Sequence, residues 1–206
     1  MALREILVVD HPVLRKKAKK VGKITPDIRR LIDDMVETMR DAPGVGLAAP
    51  QVGVSQRVVV VEYAEDEEKE TPDGPAPDRS NRGQAPDRSN RGQASKPPRK
   101  RLYTVVNPEI TRRSEERVEG VEGCLSIPGW VGSVMRHEEI EVKGLNRAGG
   151  KFKLHARGWL ARIFQHEVDH LDGILFVDRV SSPDKVWRLP PPEAESPEEA
   201  RAEHLG

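Results

Sequence analysis

The chain has 206 residues, and 34 Lys plus Arg against 34 Asp plus Glu leave no net charge, which excludes a protein that holds DNA by bulk charge. No apolar run approaches the roughly 18 residues of a membrane span, and the opening Met1-Ala2-Leu3-Arg4-Glu5 lacks a secretory core. One cysteine excludes an internal disulfide framework and suits a reducing compartment, so a cytoplasmic protein with no membrane partner is expected.

Thr25-Pro26 forms an N-cap followed by proline at the first helical position. Behind it Ile28, Leu31, Ile32, Met35, Val36 and Met39 recur at helical spacing, predicting a helix over 27–40 that ends at Pro43-Gly44. The β-branched run 58–61 predicts a buried strand. From 64 to 101 there is no Val, Ile, Leu, Met, Phe, Trp or Tyr in 38 residues, too little apolar area to offset the entropy of ordering. This segment repeats APDRSNRGQ perfectly in tandem, at 76–84 and 85–93, and is read as a solvated, disordered insertion. Its part from 76 to 101 holds eight basic and two acidic residues, the place where a transient ribosome contact is expected. A strand at 102–106 follows, then a hairpin of 139–143 with 151–155 about the turn 147–150. A second helix covers 158–171, with Gly173 just past its end. Residues 181–206 form a Pro- and Glu-rich tail in which Pro190–Pro192 forbids a helix.

Without the insertion and tail, 142 residues remain, enough for one compact domain over 1–180, interrupted at 64–101. Strands and helices do not alternate regularly. The fold expected is α+β, with mainly antiparallel sheets packed around a central helix that carries the HExxH motif. A monomer is expected.

That motif is His166-Glu167-Val168-Asp169-His170. Residues four apart share a helix face, so both imidazoles can reach one metal ion, with Glu167 beside them to take a proton from water. Catalytic sites of this kind use three protein ligands and leave one position open. The metzincin pattern places its third histidine where this chain has Phe176, and the glutamates from Glu193 onward lie in the tail. The remaining candidate is Cys124, in Glu122-Gly123-Cys124-Leu125-Ser126-Ile127-Pro128-Gly129. A lone cysteine is more often a small buried hydrophobe, and a Cys–His nucleophile pair is another option, though it leaves Glu167 and the second histidine idle. The segment Gly44-Val45-Gly46-Leu47-Ala48-Ala49-Pro50-Gln51 reads either as a tight turn or as backbone lying against a ligand, with Gln51 donating to an oxyanion.

Together GVGLAAPQ, EGCLS and QHEVDHLDG, in that order, resemble the three signature motifs of the peptide deformylase family, and HPVLRKKAKKV resembles its opening. The resemblance implies a metal-dependent hydrolase that removes the N-formyl group from the N-terminal formylmethionine of nascent polypeptides and releases formate. It implies Cys124, His166 and His170 as metal ligands with a water in the fourth place. Glu167 would serve as base and then acid, and Gln51 and the Leu125 N–H as oxyanion donors. The peptide would add as a strand beside Gly46 and Gly123. Val45, Trp159 and Ile163 are the candidates for the methionine pocket; the last two lie on the helix face of His166. The cofactor implied is one divalent ion, Fe(II) in the cell, replaceable by Zn(II), Ni(II) or Co(II). Ligand chemistry alone favours zinc. The competing readings are an HExxH zinc endopeptidase and a structural metal site, the latter disfavoured because no fourth protein ligand stands out.

Overall fold

A computed structural model describes residues 2–64 and 100–190. Its helices are α1 (Pro26–Asp41) and α2 (Gly158–Leu171). Its strands are β1 (Gly46–Ala48), β2 (Val58–Ala64), β3 (Lys100–Arg113), β4 (Arg117–Cys124), β5 (Ile127–His137), β6 (Glu139–Leu145), β7 (Lys151–Arg157) and β8 (Val186–Arg188). The named strands pair antiparallel in two sheets, five-stranded in the order β1-β2-β3-β6-β7 and three-stranded in the order β4-β5-β8. This is the α+β class expected.

The five-stranded sheet is covered on both faces, and β2 shows why its sequence is a plain valine run. Val59 and Val61 point into one apolar layer with Leu160, Ile163 and Phe164 of α2. Val58 and Val60 point into the other, with Ile32, Met35 and Met39 of α1. A strand buried on both faces has no polar alternation to display. Helix α1 begins as predicted: the Thr25 hydroxyl accepts from the Ile28 N–H, and Pro26 opens the helix.

Helix α2 packs against β1, β2, β3, β6 and β7 on one side and against β5 of the small sheet on the other, so it is the central element. Beyond its end Gly173 adopts φ +76°, and a Cβ there would stand 2.8 Å from the Arg15 backbone. Glycine is therefore required by conformation and by the close passage of the N-terminal segment. That segment also donates from the Ala18 N–H to the Leu171 carbonyl.

The structure extends three of the sequence expectations. The strand expected at 102–106 runs over Lys100–Arg113, because a bulge at Asn107 (φ +53°) lets it continue past Pro108. The Asn107 side chain bridges both backbone groups of Val21, which uses the irregularity to tie down the N-terminal segment. Strands β4 and β5 lie where no strand is predicted. Strand β8 lies within the span read as a tail, paired to β5 through Trp130↔Arg188 and Val131↔Trp187, so the folded body continues past 180. Ala64 and Lys100 face each other across β2 and β3. The insertion expected between them, residues 65–99, and the tail from 191 lie outside the described residues. Among the described residues no helix is long and apolar enough to cross a membrane.

The N-terminus is pinned by a buried acid. Asp34 of α1 accepts from the Ala2 N–H and from the Arg4 guanidinium, while Thr38 accepts from the Arg4 N–H. Burial alone would raise the Asp34 carboxyl, but the Ala2 and Arg4 bonds outweigh it and hold it below the usual carboxylate range. The folded state thus binds its proton more weakly than the unfolded chain. Its stability contribution is complete above about pH 4 and is lost as pH falls through the lowered folded value. Asp34→Asn should cost roughly 1.5–3 kcal/mol at pH 7 and flatten the acid limb of the stability curve, read by urea unfolding between pH 2 and 7.

Candidate metal centre

Three segments meet at one point between the sheets. His166 and His170 stand one turn apart on α2, their Nε2 atoms 3.2 Å from each other. Cys124, the last residue of β4, brings its Sγ to 3.2 Å from His170 Nε2. All three atoms lie within 4.8 Å of one another. The structure thus brings the HExxH residues and the lone thiol together.

The chemistry of this donor set fits a divalent cation. His166 Nδ1 lies 2.9 Å from a Glu122 carboxylate oxygen. A carboxylate there takes the N–H, which turns the Nε2 lone pair of a neutral His166 toward Cys124 and His170. Soft sulfur and imidazole lone pairs crowded together need a positive centre between them, and a divalent ion supplies it.

Glu122 itself is held by a buried ionic network that the sequence does not announce. Arg136 of β5 donates to both of its oxygens, at 2.8 and 2.9 Å, and Arg162 of α2 donates to Oε1 at 2.9 Å. Arg136 also reaches Asp169, which Arg179 holds through both oxygens. Burial would raise the Glu122 carboxyl; the bonds from Arg136 and His166 prevail and place it at about 2. One signal could have found Glu122: it stands two residues before Cys124, on the same face of a strand.

Glu167 is buried beside the three donors, and its Oε2 has no hydrogen-bond partner among the described residues. Burial pushes its carboxyl up to about 7; a protonated His166 would oppose that rise, and Glu122 adds to it. Its other oxygen faces the backbone of Gly46, where a Cβ would stand 2.4 Å from Oε1. Gln51 closes the opposite side. Its Oε1 accepts from the Ala48 N–H at 2.8 Å, and its Nε2 donates to Ser126 Oγ at 3.2 Å and lies 3.6 Å from Cys124 Sγ.

A cavity of about 400 Å³ opens from this point. Val45, Gly46, Gln51, Gly123, Cys124, Leu125, Trp159, Ile163, His166 and Glu167 all line it, so these sequence candidates share one site. His170 is buried behind the wall, touching Cys124 and His166. Arg162 also lines the cavity, but its guanidinium is turned into the network and sits 5.9 Å from the Trp159 ring centre. The walls include two sheet edges with no further strand paired to them among the described residues, β1 at Gly46 and β4 at Gly123.

Fold and site together are those of an α+β protein with a candidate metal centre and a buried carboxyl at the wall of one cavity. Residues 3–186 match the family model for polypeptide deformylase. The chain is 46 % identical to the peptide deformylase of Symbiobacterium thermophilum over 203 residues, covering 98 % of this chain and 76 % of that one. It is 40 % identical to the peptide deformylase of Dehalococcoides mccartyi, covering 98 % and 99 %. The crystal structure of peptide deformylase from Thermotoga maritima superposes with a TM-score of 0.68 at 36 % identity, covering 88 % of this chain and 100 % of that one. That from Ehrlichia chaffeensis gives 0.69 at 34 % identity, covering 89 % and 91 %. The chain belongs to the polypeptide deformylase family.

Proposed function

We propose that Cys124, His166 and His170 hold the divalent ion with which this metal-dependent hydrolase removes the N-formyl group from nascent polypeptides. The observation that carries the assignment is the meeting of these three donors within 4.8 Å, two of them on the wall of a cavity that the buried Glu167 also lines, and the third, His170, directly behind it. A divalent ion in that position lowers the pKa of a neighbouring water and polarises the formyl carbonyl.

The chain's own groups do the rest. Glu167 takes a proton from the attacking water and returns it to the leaving amine, the same carboxyl serving as base and then acid. Gln51 Nε2 and the Leu125 N–H donate to the formyl oxygen as charge builds on it. The free edges of β1 and β4 pair with the peptide backbone beside Gly46 and Gly123. Val45, Trp159 and Ile163 take the methionine side chain.

Gly46 is part of this proposal because its missing side chain leaves space for the base. Gly46→Ala would drive a methyl group into Glu167 Oε1. It should lower kcat on the order of 10²-fold, as a misplacement of about 1 Å does, with little change in metal content.

We assign Fe(II) as the ion in the cell, on the family resemblance, with Zn(II), Ni(II) or Co(II) able to occupy the same donors in purified protein. The deciding experiment is formate release from formyl-Met-Ala-Ser by anaerobically purified protein with its metal quantified. Casein cleavage without formate release would overturn the activity. Iron-form activity that survives peroxide unchanged would overturn the metal assignment. The proposal includes a cytoplasmic monomer with one catalytic domain over residues 1–180, to which β8 is added. It also includes a transient ribosome contact through the basic part of the insertion. Size exclusion tests the monomer. Ribosome co-sedimentation unchanged by deletion of residues 76–95 would remove that contact.

A further inference from the structure

The chain opens with a segment that forms neither helix nor strand over residues 2–8, yet is fixed at both ends. Ala2 and Arg4 bond to Asp34 and Thr38 of α1. Asp10 turns the chain with φ +78°, and the short helical turn Pro12–Arg15 that follows buries Leu14. Between these anchors the side chains pack little. Val8 and Val9 are exposed, and Ile6 and Leu7 are half-buried. The middle of the segment is therefore not held for the apolar area it buries.

What it contributes is two N–H groups. The Leu7 N–H donates to the Gln51 carbonyl at 2.8 Å, and the Val9 N–H donates to the Ser126 carbonyl at 2.8 Å. Gln51 belongs to the short turn Ala49–Val52 after β1, and Ser126 follows Leu125 between β4 and β5. These two segments carry the proposed oxyanion donors, Gln51 Nε2 and the Leu125 N–H. They leave different sheets, β1 of the five-stranded one and β4 of the three-stranded one. They touch again through Gln51 Nε2 and Ser126 Oγ, 3.2 Å apart. Leu7 and Val9 are two residues apart, at most about 7 Å along an extended chain, so one short stretch sets the spacing of the two carbonyls it holds.

We infer that residues 7–9 are a brace, in which the main chain of Leu7 and Val9 fixes the separation of the two oxyanion donors. The inference rests on the roles proposed above for Gln51 and Leu125. Such donors act when they stand about 2.7–3.1 Å from the oxygen on which charge develops. An error of about 1 Å costs on the order of 10²-fold in rate. Leu7 and Val9 are positioning residues: they hold this geometry from behind before the substrate arrives.

The test uses metal-loaded, full-length protein and formyl-Met-Ala-Ser. Leu7→Pro and Val9→Pro each delete one of the two N–H groups. Each should lower kcat per bound metal ion by roughly 10- to 100-fold and change KM less than about twofold, because the donors act on the developing charge. Val8→Pro, at a residue whose N–H makes neither bond, should keep the native kcat. Gln51→Ala alone should cost roughly 10²- to 10³-fold. Adding Leu7→Pro to Gln51→Ala should then cost less than about twofold more, whereas a segment that only stabilises the fold would cost the same factor in both backgrounds. Where a proline variant does not fold, the matching α-hydroxy acid at that position turns the amide into an ester, removes only the N–H and gives the same reading. Native kcat in both proline variants, an equal fall in Val8→Pro, or an undiminished factor in the Gln51→Ala background would each overturn the brace. A Gln51→Ala variant with the native rate overturns the donor role of Gln51 first, and no formate from the native chain overturns the deformylase reading before either.

Discussion

Glu167→Gln should release formate roughly 10²- to 10⁴-fold more slowly than the native chain while keeping its fold and its metal. Glutamine matches glutamate in shape, so the close fit against Gly46 is preserved. It cannot accept a proton at neutral pH, and that is the only function the substitution removes. The fold should survive for a second reason. The Glu167 Oε2 is buried without a partner among the described residues, so its charge is held at a cost. A neutral amide there should leave the melting temperature equal or higher. The proposed donor set of Cys124, His166 and His170 does not include this carboxyl, so metal content should not fall. Initial rates on formyl-Met-Ala-Ser, metal analysis and thermal unfolding check the three parts separately. A variant with the native rate would remove Glu167 as the proton carrier.

The site was more legible in the sequence than the sheet that carries half of it. Helix α2 declares itself through the apolar period of Leu160, Ile163, Phe164 and Leu171, and β2 through its valines, because in both cases local pattern and burial agree. Strands β4 and β5 are hidden for the opposite reason. Their inward positions carry Glu122 and Arg136, charged groups that are buried only because they hold each other. Their glycines also make room for distant side chains: a Cβ on Gly120 would stand 2.8 Å from the Arg162 guanidinium, and one on Gly132 would stand 2.9 Å from the Phe176 ring. Neither fact is local, so neither leaves a period of two in the sequence. Strand β8 is three residues long and exists by its pairing with β5. The candidate residues, which the structure brings to one cavity, could be named because chemistry fixes their types. The groups that position them, Glu122 above all, were missed because their role is set by partners far along the chain.

Glu122→Ala should accordingly be the most destabilising single change in the site, by about 3–5 kcal/mol, which is the range for removing one partner of a buried ion pair. Arg136 and Arg162 are both at least nine-tenths buried, and each loses a carboxylate. Arg136 keeps Asp169, and Arg162 keeps the carbonyls of Val118 and Val134, so the chain should still fold. The loss corresponds to a fall in melting temperature of roughly 6–20 °C for a chain of this size. A second effect has a different origin. His166 loses the acceptor at its Nδ1, which should weaken metal affinity by about 10–100-fold. Measuring unfolding on metal-stripped protein separates the two. The ion-pair loss persists without metal, whereas a drop confined to the metal-loaded form would show that Glu122 acts only through His166. The double variant Glu122→Ala, Arg136→Ala should be less destabilised than the sum of its parts, because removing the carboxylate has already cost Arg136 one of its two charge partners. Strict additivity would mean that the guanidinium and carboxylate, 2.8 Å apart, do not support each other.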